Sequence, residues 1–279
     1  MPNSGLPDFD HERQVAVAAA EEAGGLLRSR FGTARCLRTK GDSGDVQVDL
    51  DLAAEEIVLG RIQHHFPHDR ILSEEAGLLG DAGERTWLVD PLDGSNNVAI
   101  GLPAFVVGIG LCLGSTPVVG VVHEPVTGET WHAVRGHGAH GPSGALPGPR
   151  PILPRPGPVV AWTQGYAVGR GDATATALRG ALELGCRRVL QLWAPLLGWS
   201  LLARGTIDAF VGYRAEGVDL PTGALLAAEA GVDLRTLSGA EFRPGFAGDD
   251  TGRSFVAARG GTLAYLLREV GAAVERTSG

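Results

Sequence analysis

Cysteine is scarce. Cys36, Cys112 and Cys186 are the only three, widely separated and odd in number, so no disulfide framework is indicated. Cys112 sits inside an apolar run and reads as a packing residue. Apolar runs of the roughly twenty residues that cross a bilayer are missing, and the first residues lack the basic and then apolar pattern of a leader. The expectation is a cytoplasmic protein with no membrane partner. Basic clusters are also absent, and the net charge of −8 argues against nucleic acid as a partner. No internal repeat is visible. What remains is 279 residues with 44 % hydrophobic content, enough for an ordinary core in one large α/β domain or two fused halves.

Val15, Ala18, Ala19 and Leu26 recur at helical spacing and predict an amphipathic helix over residues 9–31. A polar loop punctuated by glycine follows at residues 40–45. Residues 46–50 alternate like a strand end, and residues 51–66 return to helical spacing through Leu52, Ile57, Leu59 and Ile62. Strands are expected at 70–73, 87–89, 105–113, 117–123 and 130–134, together one antiparallel sheet with flanking helices. Residues 136–158 are rich in glycine and proline and read as a surface loop or connection. Beyond them strands near 159–163, 187–190, 207–211 and 255–257 alternate with helices near 173–184, 195–204, 221–230 and 263–270, the pattern of an α/β half. The expected division is residues 1–140, a connection at 141–158, and residues 159–279.

The most informative stretch is WLVDPLDGSNN, residues 87–97. Trp87, Leu88 and Val89 make a buried strand with Asp90 at its carboxyl end, the usual place for ligands in open sheets. Pro91 should stop the strand there. Asp93 and Gly94 turn the chain, and Ser95 is a good N-cap for a short helix ended by Gly101 and Pro103. Two carboxylates this close repel unless a cation lies between them, and hard divalent cations prefer carboxylate oxygen. The amides of Gly94, Ser95 and Asn96 suit an anion such as phosphate. A lone pair of aspartates in this setting would read as an ordinary turn. Further acidic groups at element ends change that balance: Asp45, Asp49 and Asp51; Glu74 and Glu75; and Asp219.

With SEEAG at residues 73–77, GVDLPTGALLAAEAG at 217–231, and the spacing from Lys40 through Asp45 and Asp51 to Glu55, the chain resembles the inositol monophosphatase-like family of Mg²⁺-dependent, lithium-sensitive phosphatases. The resemblance implies an α+β fold, a layered αβαβα sandwich with the site between its halves, and a homodimer. It implies two to three Mg²⁺ ions. Glu74, Asp90 and the Leu92 carbonyl would bind one, and Asp90, Asp93 and Asp219 a second, while a third would lean on Glu74 and water, with Lys40 and Asp45 nearby. Gly94, Ser95 and Asn96 would hold phosphate, and Asp51 with Ser95 would polarise the attacking water. The activity implied is hydrolysis of a phosphate monoester of a polyol or sugar. Alternatives are a fructose-1,6-bisphosphatase or nucleoside phosphate phosphatase, and a metal- and phosphate-binding module without catalysis.

The chain departs from the family around the substrate. Gly212 stands where inositol-hydrolysing relatives carry an acidic residue, and Trp193-Ala194-Pro195 replaces a small Gly-Ser-Ala turn. Trp193 would either wall the pocket or rotate into the core. Arg214, in a segment closer to the branch that also acts on fructose 1,6-bisphosphate, would contact a second phosphate or a sugar hydroxyl. Glu75 reads as a solvated or supporting carboxylate, Asp49 as a loop charge or support, and Trp199 as core. His64, His65 and His68 read as surface imidazoles, since they share no helical face, and His132, His137 and His140, in or beside the glycine-rich loop, read the same way.

Overall fold

Small side chains govern the first layer. The computed structural model describes residues 8–40, 45–81, 83–146 and 157–277, opening with helix α1 (Asp10–Arg30), whose buried face carries Ala16, Ala19, Ala20, Ala23 and Leu27. Short side chains there let the helix lie close to its neighbours. A hairpin of β1 (Cys36–Lys40) and β2 (Asp45–Val48) leads to α2 (Asp49–His65), which packs beside α1.

Beneath both helices lies a sheet of β3 (Arg70–Ser73), β4 (Gly77–Leu79), β5 (Arg85–Asp93), β6 (Val106–Leu113), β7 (Thr116–Glu124), β8 (Glu129–Val134), β9 (Ala139–Gly141) and β10 (Gly144–Ala145). Its order is β10-β9-β8-β7-β6-β5-β3-β4. The helix α3 (Ser95–Ala99) interrupts it between β5 and β6. The sheet is not wholly antiparallel as expected, because β3 and β5 are parallel. The chain reverses twice through β4 and so arrives at β5 in the direction of β3.

A second sheet contains β11 (Val159–Gln164), β12 (Arg188–Leu190), β13 (Ala209–Tyr213), β14 (Asp233–Thr236) and β15 (Phe255–Ala258) in the order β12-β11-β13-β15-β14. Strand β14 was not anticipated: Asp233-Leu234-Arg235-Thr236 is too short and polar to show a period. The helices are α4 (Ala173–Gly185), α5 (Pro195–Ala203), α6 (Asp219–Glu229) and α7 (Gly260–Glu275). The expected connection at 141–158 falls mostly on residues 147–156, outside the described residues.

Four apolar clusters cement five layers. Leu27 and Ile62 meet Val107 and Ile109 between the outer helices and the first sheet. Leu196 and Leu226 meet Val106 and Val122 on that sheet's other face, and Trp199 and Ala224 meet Phe210 and Phe255 of the second sheet. Leu178 and Leu266 close the far side on Val160 and Val256. The order is therefore αβαβα, as the sequence led us to expect, with α5 and α6 as the shared middle layer. Trp199 is fully buried with its ring 4.8 Å from Phe255 and 4.9 Å from Phe210; truncating it to Ala would cost roughly 3–5 kcal/mol.

Two details place the middle layer. A Cβ on Gly110 would stand 2.2 Å from the Thr222 hydroxyl, and one on Gly120 would stand 2.8 Å from the Thr222 carbonyl oxygen, so α6 lies against a floor of bare backbone. At the other end, Arg259 donates from its guanidinium to Leu202 O and Ala203 O of α5 and to Ala230 O at the end of α6, at 2.9 to 3.0 Å.

Candidate active site

Strand β5 does not stop at Asp90. Its pairing with β6 runs Asp90↔Gly108 and resumes at Asp93↔Val106, three steps on one strand against two on the other. Pro91 interrupts the ladder, as its missing N–H requires, but the interruption is a bulge rather than an end. In a regular strand, residues three apart face opposite sides. The inserted residue cancels that inversion, so Asp90 and Asp93 project to the same place.

Asp219, the first residue of α6, completes the cluster: one carboxylate oxygen from each of Asp90, Asp93 and Asp219 lies within 4.8 Å of the others. Asp90 is held well above the ordinary carboxylate range by burial first, then by Glu74, Asp219 and Asp93. Asp93 is pushed up by burial and then Asp219, against the opposing pull of the Leu196 and Leu197 amides. Those amides, at the start of α5, donate to Asp93 Oδ2 at 2.7 and 3.3 Å. Crowded, oxygen-only donors, two of them buried and the third half-buried, whose anionic forms resist one another fit a hard divalent cation. Glu74 follows β3, half-buried and close enough to raise Asp90, and Asp90 Oδ1 accepts from the Leu92 amide at 3.0 Å.

Beside the cluster, Ser95 and Asp51 form a hydrogen-bonded pair. Ser95 Oγ donates to Asp51 Oδ1 at 2.5 Å and reaches the Leu92 carbonyl oxygen at 3.1 Å. Asp51 is buried in the first turn of α2, where its other oxygen accepts from the Val48 amide at 2.5 Å. Ser95 is not the N-cap we anticipated; Gly94 is, with φ 109°. Only glycine suits this position, since a Cβ would also sit 2.8 Å from the Ala104 carbonyl oxygen. Ser95 is thereby freed from capping to face Asp51.

The partners of the supporting residues came into view only with the fold. Glu55, buried on α2, accepts from Ser73 Oγ and, at 2.9 Å, from the Ala76 amide, bracing the turn that carries Glu74. The i, i+4 spacing of Asp51 and Glu55 among Leu50, Ala54 and Val58 was the available signal. Glu75 accepts from buried Gln47, a supporting role. Asp49 opens α2 instead of ending a strand, and accepts from the Arg35 amide at 2.8 Å. Asn97, buried, donates from Nδ2 to Ala104 O and Leu192 O, both at 2.6 Å. The side chains of Lys40 and Asp45 lie outside the described part of the structure.

A cavity of about 790 Å³ opens beside Asp219 and Asn96 and extends over Trp162, Tyr166, Trp193 and Glu216. It lies past the carboxyl ends of β11 and β13. From β11 the chain goes through α4 to β12 on one side, then back through α5 to β13 on the other. That reversal of strand order is where open α/β sheets form ligand crevices. Trp193 is 58 % exposed at the cavity wall with φ 52°, so it does not rotate into the core. Left-handed backbone is costly for a bulky aromatic, and the Asn97 bond to the preceding carbonyl holds the chain there.

Three expected substrate contacts lie elsewhere. Ala194 is buried against the first sheet. A Cβ on Gly212 would stand 2.3 Å from the Phe255 ring, so this position faces the core and cannot present a side chain to the cavity. Arg214 pairs with Asp250 at 2.9 Å and does not line the cavity, because its left-handed φ of 50° turns it toward the loop before β15. Besides Asp219, Glu216 brings a carboxylate to the cavity wall, and its Oε1 accepts from the Tyr166 amide at 2.7 Å. His64, His65 and His68 are exposed, but His132, His137 and His140 are half-buried. The first and last of these stack at 5.5 Å where β8 pairs with β9, a pairing that no periodicity foretold.

A profile of the inositol monophosphatase family matches residues 8–274. Inositol monophosphatase 1 of Solanum lycopersicum is 31 % identical over 239 residues, 82 % of this chain and 85 % of its own length. Nus factor SuhB of Vibrio cholerae is 29 % identical over 228 residues, 81 % of this chain and 85 % of its own. Among solved structures, the inositol monophosphatase of Anabaena superposes with a TM-score of 0.79 at 26 % identity, covering 95 % of this chain and 96 % of that one.

Proposed function

The chain belongs to the inositol monophosphatase family, a family of metal-dependent phosphatases, and from that premise we propose that it hydrolyses a phosphate monoester of a polyol or sugar with Mg²⁺ and water. The observation that carries this reading is the convergence of Asp90, Asp93 and Asp219 within 4.8 Å beside the Ser95–Asp51 hydrogen bond at 2.5 Å.

Asp90, Asp93, Asp219, Glu74 and the Leu92 carbonyl would hold two to three Mg²⁺ ions, with Lys40 and Asp45 near the third. Bound there, Mg²⁺ supplies positive charge to the phosphoryl oxygens and acidifies water. Ser95 Oγ, donating to Asp51, offers a lone pair to the proton of an attacking water, and the buried Asp51 carboxylate takes up the positive charge that this develops. The first amides of α3, over Gly94 to Asn96, would bind the phosphate, since the opening turn of a helix has no intrahelical partners for its N–H groups. Asp93, fixed by the amides of α5, keeps its place while charge moves. No side-chain nucleophile is needed, so trapping of a covalent phosphoprotein would overturn direct hydrolysis.

A metal-binding module without chemistry is the weaker reading, because the Asp51–Ser95 pair is intact. The test is Mg²⁺-dependent phosphate release from a panel of polyol, sugar and nucleoside phosphates, with Asp93→Asn as control. Tight metal binding with no turnover of any member would favour the module. The reading includes inhibition by lithium and a cytoplasmic homodimer acting on small molecules. Activity indifferent to millimolar lithium, or a monomer by sedimentation, would remove those parts. No helix among the described residues is long and apolar enough to cross a membrane.

A further inference from the structure

The stretch of cavity wall that carries Tyr166 and Glu216 is backed by the loop before β15, and Arg214 joins the two. Its φ of 50° lies in the left-handed region, which a long side chain keeps only where the surroundings over-determine it. The loop does so. Asp250 Oδ1 accepts from Arg214 Nε at 3.0 Å and pairs with its Nη2 at 2.9 Å. The Ser254 hydroxyl accepts from the Arg214 amide at 3.0 Å, and the Arg253 carbonyl accepts from the Ala215 amide at 3.0 Å. Arg253 ties the loop to itself, its amide donating to Asp250 O at 2.9 Å and its guanidinium to Gly248 O at 2.6 Å. The fit is close on both sides: a Cβ on Gly165 would stand 2.0 Å from Arg214 O, and one on Gly217 would stand 2.8 Å from Phe246 O. Two residues past Arg214, Glu216 Oε1 accepts from the Tyr166 amide at 2.7 Å. The carboxylate and the exposed Tyr166 ring, both at the cavity wall, are thereby held as one piece.

Resting on the phosphatase reading above, we propose that Arg214 and Asp250 form a positioning clamp for Glu216, and that Glu216 selects the alcohol half of the substrate by accepting hydrogen bonds from its donors. An ionised carboxylate only accepts and has about four lone-pair sites, so the Tyr166 amide does not exhaust it. Arg214 does not line the cavity and acts through the backbone that it bends. Asp219, three residues beyond Glu216, is anchored separately, because α6 lies against the bare backbone of Gly110 and Gly120. Loosening the clamp therefore moves the grip on the alcohol and leaves the acidic cluster in place.

The test pairs glucitol 6-phosphate, whose alcohol is rich in hydroxyl donors, with phenyl phosphate, whose alcohol has none. Arg214→Gly suits a left-handed φ and so removes the ion pair without adding strain; Asp250→Ala removes it from the other side. Each should lower the ratio of kcat/KM for glucitol 6-phosphate over phenyl phosphate about fivefold, the scale of one hydrogen bond, and should do so through KM. Glu216→Ala should raise the same KM, and adding Arg214→Gly to it should raise KM no further. Hydrogen exchange of the Tyr166 amide reads the clamp without turnover: both clamp variants should speed it about tenfold relative to the amides of β11. A ratio or a Tyr166 exchange rate that neither clamp variant moves overturns the proposal, as do KM losses that add to those of Glu216→Ala. Lowered kcat for both esters would route Arg214 through Asp219 and overturn Glu216 as its target. Turnover of phenyl phosphate with none of glucitol 6-phosphate overturns the selecting role and leaves the phosphatase reading intact. Faster Tyr166 exchange in the clamp variants of a protein that hydrolyses no monoester supports the clamp and overturns the phosphatase reading.

Discussion

The acidic cluster and the aromatic cavity share Asp219 and little else. A strand bulge places both Asp90 and Asp93, helix-end amides hold Asp93 a second time, the Leu92 amide holds Asp90, and both residues are buried. Around Trp193 the wall is an exposed ring on strained backbone, tied down by one side chain, Asn97. On the proposed reading, phosphate and metal are the same for any ester, so their half tolerates no latitude. The alcohol differs between substrates, and its half is built from a turn and a strand end that can change without disturbing the first.

That contrast predicts how variants divide. Asp93→Asn should have the largest effect, lowering kcat about a thousandfold or more, because ligands of a catalytic metal carry several kcal/mol of transition-state stabilisation; steady-state assays at saturating Mg²⁺ would show it. Ser95→Ala should lower kcat about a hundredfold. Combined with Asp51→Asn it should lose little more, since the two act as one unit. Additive losses would separate them.

Gly94→Ala tests the cluster's scaffold, with an expected cost of about 1–3 kcal/mol for left-handed backbone and the added clash with Ala104, read by thermal melting. On the cavity side, Asn97→Ala should raise KM more than it lowers kcat; an equal fall in kcat at unchanged KM would tie Trp193 to the chemistry and erase the contrast. The smallest effect concerns pH. Asp90 and Asp93 have raised pKa values from burial and neighbouring carboxylates. Their contribution to stability is therefore full below the ordinary value of 3.8 and lost as pH rises through their higher folded values. In EDTA, wild type should lose melting temperature over that rise relative to Asp90→Asn, and Mg²⁺ should restore it. Parallel melting curves for the two proteins would mean that the crowding is relieved without metal.

The legibility of the sequence follows the same line. The acidic cluster was readable because Asp-Pro-Leu-Asp-Gly-Ser is local and its neighbours recur at element ends. That β5 bulges rather than stops was not, since whether a ladder resumes after proline depends on the partner strand. Glu55, Gln47 and Asn97 were hidden because their partners lie 18 to 95 residues away. Gly212 was located by its match to a family position near the end of a strand, but the direction in which a side chain there would point belongs to the pairing of β13 with β15. Glu216, which joins Asp219 at the cavity wall, sits in a loop where no period marks it.

Helices α5 and α6 run in the same direction: their first residues meet at the acidic cluster and their last carbonyls meet at Arg259. Parallel helices add their dipoles rather than cancel them, each contributing roughly half a positive charge at its start and half a negative charge at its end. The middle layer is thus a polarised slab, neutralised by carboxylates on one face and by a guanidinium on the other. At that face the three carboxylates outweigh the two half-charges, so an anion entering the cleft meets net positive charge only once a cation has neutralised the carboxylates. Removing Arg259 would disturb the field from the side remote from any ligand.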